Sequence, residues 1–252
     1  MSKGNTLVLV AVRLKSTRLP RKALEDLAGK PLILRLNERL RKTRLVDEII
    51  WCTSTNPDDD LLEELAVLND IPLYRGSELD VLSRFMKVAW SRNAKTVIRV
   101  TGDNPLTDPL FMDLMIREHN STCAEYTYTD DLPRGTRCEI IEVSALEKCH
   151  SLVKDPTASE YMTLMLRRPD HFKVIKVNSP DRKINRPELR LTVDTPEDLY
   201  VIREIYNAFN GEPPELSRII NWLDAHPDVK KYNQHIIPRE IDSSINVQFI
   251  TD

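Results

Sequence analysis

Glycine is scarce in this chain, with 6 in 252 residues. Phosphate cradles made wholly of backbone need several glycines close together. Neither G-x-x-x-x-G-K-[ST] nor G-x-G-x-x-G occurs, which excludes a Walker A loop and a dinucleotide fingerprint. Cysteine is equally thin: Cys52, Cys123, Cys138 and Cys149 form no C-x-x-C pair and no cluster with histidine at zinc spacing. A disulfide framework and a structural metal site are therefore unsupported, and reduced thiols in the cytoplasm are the expectation. No apolar run is long enough for a signal-peptide core or a membrane span, so neither secretion nor a membrane partner is expected. An excess of one sign of charge is missing too. The 36 Lys+Arg against 39 Asp+Glu leave a formal net charge of −3, with no global basic field to attract nucleic acid. The 5 histidines are scattered, and no Ser/His/Asp or Cys/His spacing points to a hydrolase. Repeats of fixed period and low-complexity segments are also lacking.

What remains is a composition of 41% hydrophobic and 30% charged residues, which supplies a sizeable core. Short β-branched runs alternate with helical patterns. Thr6 to Val12 reads as a strand, Leu32 to Arg41 as a helix, Glu48 to Thr53 as a strand, Asp58 to Leu68 as a helix and Ile71 to Tyr74 as a strand. A helix over Leu79 to Ser91 and a strand over Thr96 to Val100 follow, the latter ending at Gly102-Asp103-Asn104-Pro105. After a helix near Pro109 to His119, the strand-like pieces Ala124 to Thr129 and Cys138 to Val143 suggest a hairpin or inserted strand pair. Helices are expected over Ser144 to Leu152 and Thr157 to Arg168, the second entered through Asp155-Pro156 as N-cap and first helical position. Strands over Phe172 to Val177 and Arg190 to Val193 come next. Thr195-Pro196-Glu197-Asp198 then opens a helix with a capping threonine, an N1 proline and an acidic first turn. The expected architecture is one α/β domain over 1–252, with an embellishment at about 124–178 and a flexible tail at 238–252.

The most chemically loaded stretch is Val12 to Lys22, V-R-L-K-S-T-R-L-P-R-K, which gathers five cations around two hydroxyls directly after the first strand. Arg13, Arg18 and Lys22 supply charge, Ser16, Thr17 and backbone N–H groups supply hydrogen bonds, and Pro20 stiffens the loop. The bland alternative is a solvated basic turn. Ligands of open parallel sheets bind outside the carboxyl ends of strands, so this loop and Asp103 should face one crevice. Asp103 and Asp194 sit at strand ends and together suit Mg²⁺ bridging to phosphate oxygens. Taken singly, and without a family resemblance, Asp103 reads first as a turn residue and Asp194 as a helix anchor. Asp198, in the first turn of the following helix, reads mainly as helix stabilisation.

Five segments in order carry a resemblance: R-x-x-S-T-R-L-P-x-K from Arg13; Tyr74 to Arg84, Y-R-G-S-E-L-D-V-L-S-R; Arg99 to Pro109, R-V-T-G-D-N-P-L-T-D-P; Pro133-Arg134-Gly135; and Leu189 to Leu199, L-R-L-T-V-D-T-P-E-D-L. Together they resemble the signature of cytidylyltransferases that make CMP-activated acidic sugars. The likeness is greatest to the spore-coat polysaccharide branch, with CMP-KDO synthetases and acylneuraminate cytidylyltransferases as relatives. The resemblance implies a Rossmann-like nucleotide-diphospho-sugar transferase fold, a mainly parallel sheet with helices on both faces. It implies transfer of CMP from CTP to an acidic sugar, with Mg²⁺ as cofactor and a homodimer formed around Tyr128 to Arg168. Arg13, Lys22 and Asp103 take the catalytic positions. Ser16, Thr17, Arg18, Arg75, Ser77, Ser83, Arg84 and Thr101 join them around the nucleotide, and Asp103 and Asp194 hold the metal. The segment at Pro133, Arg134 and Gly135 approaches the acceptor and the dimer partner.

The chain departs from the family pattern where relatives carry small residues, often glycine, and it has Lys15 and Arg21. It also has Arg137-Cys138 where an aspartate is common. The expectation is that Lys15 and Arg21 point outward and leave the site intact. Two other readings stay open. One is nucleotidyl transfer with another NTP or a sugar 1-phosphate acceptor; the other is a non-catalytic nucleotide-binding or assembly protein.

Overall fold

A run such as Leu7-Val8-Leu9-Val10 is satisfied only by a strand covered on both faces, because successive side chains point to opposite sides. The computed structural model describes residues 5–16, 18–237 and 248–250. In it that run forms the middle of β1 (Asn5–Ala11), and all four side chains are buried. The further strands are β2 (Asp26–Leu27), β3 (Lys30–Pro31), β4 (Glu48–Ser54), β5 (Leu73–Gly76), β6 (Ala94–Thr101), β7 (Tyr126–Tyr128), β8 (Glu139–Glu142) and β9 (Val174–Lys176). The α-helices are α1 (Leu32–Leu40), α2 (Asp60–Leu68), α3 (Val81–Ser91), α4 (Pro109–Thr122), α5 (Val143–Leu152), α6 (Met162–Leu166), α7 (Pro196–Ala208), α8 (Leu216–Ala225) and α9 (Pro227–Lys231).

β2 and β3 form a small antiparallel pair, and the other strands make one 7-stranded sheet in the order β5-β4-β1-β6-β8-β7-β9. β1 is parallel to β4 and β6, β4 to β5, and β7 to β9, whereas β8 is antiparallel to both β6 and β7. Only β8 therefore runs against the rest, as the inserted strand pair predicts. One face packs Val8, Val10, Ile98 and Val100 against α1, α4, α7 and α8; the other packs Leu7, Leu9 and Val97 against α3, α5 and α6. The mainly parallel sheet with helices on both faces is the expected architecture.

Some expectations are corrected. The segment 190–193 is no regular strand; it makes one isolated parallel bridge, Arg134 to Arg190. Its neighbour curls at Gly135, whose φ of +95° stops a ladder from extending, and Val193 N instead donates to the Asp103 carbonyl at 2.9 Å. The predicted helices at 58–68 and 157–168 each begin as a 3-10 turn, Pro57–Asp59 and Pro156–Tyr161, before α2 and α6. Most of 238–252 lies outside the described residues. Within it, Phe249 is fully buried and bridges Val153, so at least Gln248–Ile250 is docked rather than loose. Among the described residues no helix is long and apolar enough to cross a membrane.

Candidate active site

The chain passes from β1 outward to β4 and β5, then returns to β6 on the other side of β1, so the sheet's switch point lies between β1 and β6. A cavity of about 460 Å³ opens there at the carboxyl ends of the strands. The loop after β1 contributes Arg13, Lys15, Ser16, Arg18 and Lys22 to its lining; the β5–α3 connection and α3 contribute Glu78, Leu79, Val81 and Arg84; β6 and its exit contribute Arg99, Thr101, Gly102 and Asp103; and Asp194 completes it. The exits of β1 and β6 approach so closely that a Cβ on Gly102 would lie 2.7 Å from the Val12 side chain, which restricts position 102 to glycine.

The basic loop is held from outside the cavity. Leu14 N donates to Asp59 Oδ1 at 2.7 Å, and Asp59 is itself fixed by Ser54 N at 3.2 Å and Ser54 Oγ at 2.5 Å. Arg21 N closes the loop on the Leu14 carbonyl at 3.0 Å, and Arg21 adopts φ 57°, ψ 24°. That left-handed conformation is the physical reason a glycine suits this position. The Arg21 side chain is exposed and does not line the cavity. Lys15 does line it, correcting the expectation that both extra cations point away; its side chain is 65% exposed and pairs with Glu78 at 3.3 Å across the rim. Ser16 Oγ accepts from Leu19 N at 3.4 Å. Thr17 lies outside the described residues.

Opposite the loop, the two predicted carboxylates meet. Lys22 Nζ lies 2.6 Å from Asp103 Oδ2 and 2.8 Å from Asp194 Oδ1. Arg18 Nη2 and Arg190 Nη2 approach Asp194 Oδ2 at 3.2 and 3.0 Å. Burial pushes the Asp194 carboxyl up, but Lys22, Arg18 and Arg190 outweigh it and hold the group at about 2. Lys22 is affected in the reverse sense: burial lowers its pKa, and Asp103 and Asp194 more than restore it, so it stays charged. Beneath Asp194, the fully buried Asp198 accepts from Arg190, Asn233 and the backbone N–H groups of Asp194 and Thr195. The predicted cap at Thr195 forms as a complete capping box with Asp198, with Pro196 at N1.

The remaining predicted residues divide. Arg84 lines the cavity from α3 and is 3% exposed; it has one long hydrogen bond to the Cys52 carbonyl at 3.4 Å, and its Nε is buried without a partner. Among the described residues no carboxylate pairs with it. Thr101 lines the cavity and accepts from Asn104 Nδ2 at 2.7 Å. Arg75, Ser77 and Ser83 do not line it. Arg75 turns to Asp60 and Glu63, Ser77 Oγ accepts from Asp80 N, and Ser83 Oγ donates to the Asp80 carbonyl, so these three shape the β5–α3 connection. Sequence reasoning assigned no role to Arg99, Glu78 or Arg190. Arg99 and Arg190 both begin or flank the motifs quoted above, but their partners Glu139 and Asp198 are visible only once strands and helices are packed.

A mostly parallel sheet whose switch point sets a cationic loop against paired carboxylates defines a nucleotidyltransferase. The cytidylyltransferase family model matches residues 7–217, and the chain belongs to that family as a CTP-dependent nucleotidyltransferase. The spore coat polysaccharide biosynthesis protein SpsF of Bacillus subtilis (strain 168) is 34% identical over 233 residues, covering 89% of this chain and 96% of that protein. Two solved structures share the fold. A cytidylyltransferase from Leptospira borgpetersenii superposes with a TM-score of 0.80 at 24% identity, covering 94% of this chain and 98% of that one. CMP:2-keto-3-deoxy-manno-octonic acid synthetase complexed with CTP gives 0.63 at 17% identity, covering 81% and 99%.

Proposed function

We propose that this protein transfers CMP from CTP to an acidic sugar or a related acceptor, releasing pyrophosphate in a Mg²⁺-dependent reaction that serves polysaccharide or glycoconjugate synthesis. The observation that carries the reading is the convergence of Asp103 and Asp194 on one cation, Lys22 Nζ at 2.6 and 2.8 Å, on the wall of a cavity edged by Arg13, Ser16 and Arg18. Two carboxylates already arranged around one positive charge are hard-oxygen donors of the kind Mg²⁺ takes together with substrate phosphates. Asp103 and Asp194 would hold the ion, which supplies neutralisation of charge developing on the phosphates.

The side chains do the rest by position. Arg13, Ser16 and Arg18 bind polyphosphate oxygens, and Lys22, freed from the acids, meets the phosphates as a point charge. Arg84, a buried cation with no carboxylate partner among the described residues, suits an anionic or carbonyl group of the nucleotide. The acceptor oxygen then bonds to the α-phosphorus as pyrophosphate departs in line, and orientation within the cavity lowers the barrier. The likeness to SpsF over most of both chains supports a polysaccharide setting, and the CTP bound in the synthetase supports the nucleotide. A homodimer through 128–168 is part of this reading, and a monomer mass by sedimentation would remove it.

The decisive assay measures pyrophosphate release with each of CTP, UTP, ATP and GTP against a panel of sugar acids and sugar 1-phosphates, with and without Mg²⁺. Release confined to CTP, an acid and the metal is expected. Equal use of UTP, or turnover of sugar 1-phosphates alone, would overturn the reading.

A further inference from the structure

Lys22 ends the basic loop and opens the short turn Lys22–Leu24, whose backbone is fixed by Leu24 N donating to the Arg21 carbonyl at 2.8 Å and Glu25 N to the Lys22 carbonyl at 3.2 Å. From this anchored position its side chain spans the gap between the exit of β6 and the segment ahead of α7. Asp103 Oδ2 and Asp194 Oδ1 converge on Nζ from the two sides, at 2.6 and 2.8 Å. The other oxygen of Asp194 is already shared by Arg18 Nη2 and Arg190 Nη2, at 3.2 and 3.0 Å. Lys22, Asp103 and Asp194 all line the cavity, and their side chains are 15%, 22% and 11% exposed, so this is no solvated rim pair of negligible strength.

The two oxygens that Lys22 occupies are the pair assigned above to Mg²⁺. Mg²⁺ bonds carboxylate oxygen at about 2.1 Å, so an ion bridging this pair would be a second cation within about 4 Å of Nζ. Like charges that close repel strongly away from bulk water. One of the two must give way, and the lysine is built to do so: its backbone is anchored, but its four-carbon stem lets Nζ swing. Arg190 has no such freedom, because Asp198 grips it through both Nε and Nη2. A destination for the ammonium lies in the same cavity, where Arg13, Ser16 and Arg18 would set the oxygens of a triphosphate.

We propose that Lys22 plugs the metal position in the free protein and that the triphosphate opens it by drawing the ammonium onto its phosphates. CTP and the metal then bind with positive coupling, which linkage makes reciprocal, and a form holding metal without nucleotide does not accumulate. This rests on the metal-dependent nucleotidyl-transfer reading above and adds the regulation of that site.

The test measures Mn²⁺ binding to the full chain by electron paramagnetic resonance, without nucleotide or acceptor. Lys22→Met keeps a stem and removes the charge, and it should bind Mn²⁺ roughly 10- to 100-fold more tightly than the wild type. Arg18→Met removes a cation from the other oxygen of Asp194 and leaves the plug in place, so its gain should stay within about threefold. Adding Asp194→Asn to Lys22→Met should erase the gain. No gain in Lys22→Met, or an equal gain in Arg18→Met, overturns the inference. The transfer reading survives either result if wild-type pyrophosphate release needs Mg²⁺ and Asp194→Asn abolishes it; release independent of Mg²⁺ overturns the reading and the inference together. Should Lys22→Met fail to fold, wild-type crystals soaked in Mn²⁺ with and without CTP serve instead. Anomalous density between Asp103 and Asp194 should need CTP and should coincide with Lys22 Nζ on a phosphate. Density there without CTP, or Nζ still on the acids beside the ion, rejects the plug.

Discussion

Arg190 donates from Nε to Asp198 Oδ1 at 2.7 Å and from Nη2 to Asp198 Oδ2 at 2.8 Å, and the same Nη2 reaches Asp194 Oδ2 at 3.0 Å. A first-turn carboxylate of α7 that does not line the cavity therefore positions one that does. Asp198→Ala leaves Arg190 buried with one carboxylate partner of two and removes the carboxylate arm of the α7 capping box, while Thr195 still caps the helix. A loss of roughly 3–5 kcal/mol is expected, as for breaking a buried pair from one side. Urea denaturation measures it, and a loss below about 1 kcal/mol would mean that Asn233 and water replace the carboxylate at no cost.

Acid should weaken the apoprotein through Asp194. Its folded value, about 2, lies below the ordinary 3.8, so the stabilisation is fully present above pH 4 and is lost as pH falls through 2. The contribution is on the order of 2 kcal/mol. Asp194→Asn lacks this titration, so the stability gap between the two proteins should narrow from pH 4 to pH 2 in metal-free denaturation curves. A gap that stays constant over that range would show that the cation pairing contributes nothing.

Two left-handed positions should respond unequally to exchange. A Cβ at Gly135 would lie 2.3 Å from Thr192 N, with φ at +95°, so Gly135→Ala should cost several kcal/mol and loosen the 190–194 segment beside it. At Arg21, whose φ is 57°, Arg21→Gly relieves a left-handed side-chain penalty while adding unfolded-state freedom, and a net change within about 1 kcal/mol is expected. Thermal melts of the two variants compare them directly.

Thiol chemistry should be confined to one residue. Cys123 is exposed, whereas Cys52, Cys138 and Cys149 are buried. Burial pushes Cys52 up to about 12 despite nearby Arg84, and Cys149 likewise to about 12. An Ellman titration of the native protein should therefore release one rapid equivalent, and Cys123→Ser should abolish it.

The sequence determined, by itself, the alternation of elements and the two richest motifs. The continuous apolar run of β1 demands a strand covered on both faces, the basic loop follows it without interruption, and Thr195-Pro196-Glu197-Asp198 encodes a helix start from local hydrogen bonding alone. It also led to Asp103 and Asp194, each lying at a strand or segment end ahead of a turn or helix. Local propensity was less informative where a segment depends on its neighbour, as at 190–193, whose ladder is cut short by the curl at Gly135.

Only the tertiary structure decided which side chains meet. Lys22 touches both acids because the switch point brings the exits of β1 and β6 together and Val193 ties its segment to Asp103. Arg75, which the family resemblance implies as a nucleotide contact, turns instead to Asp60 and Glu63, while Arg99 meets Glu139 because the β6–β8 register sets the two opposite each other. Periodicity and capping act over a few residues and can be read along the chain. Strand register and crossover side are settled by long-range burial, and they alone choose the partners of these charges.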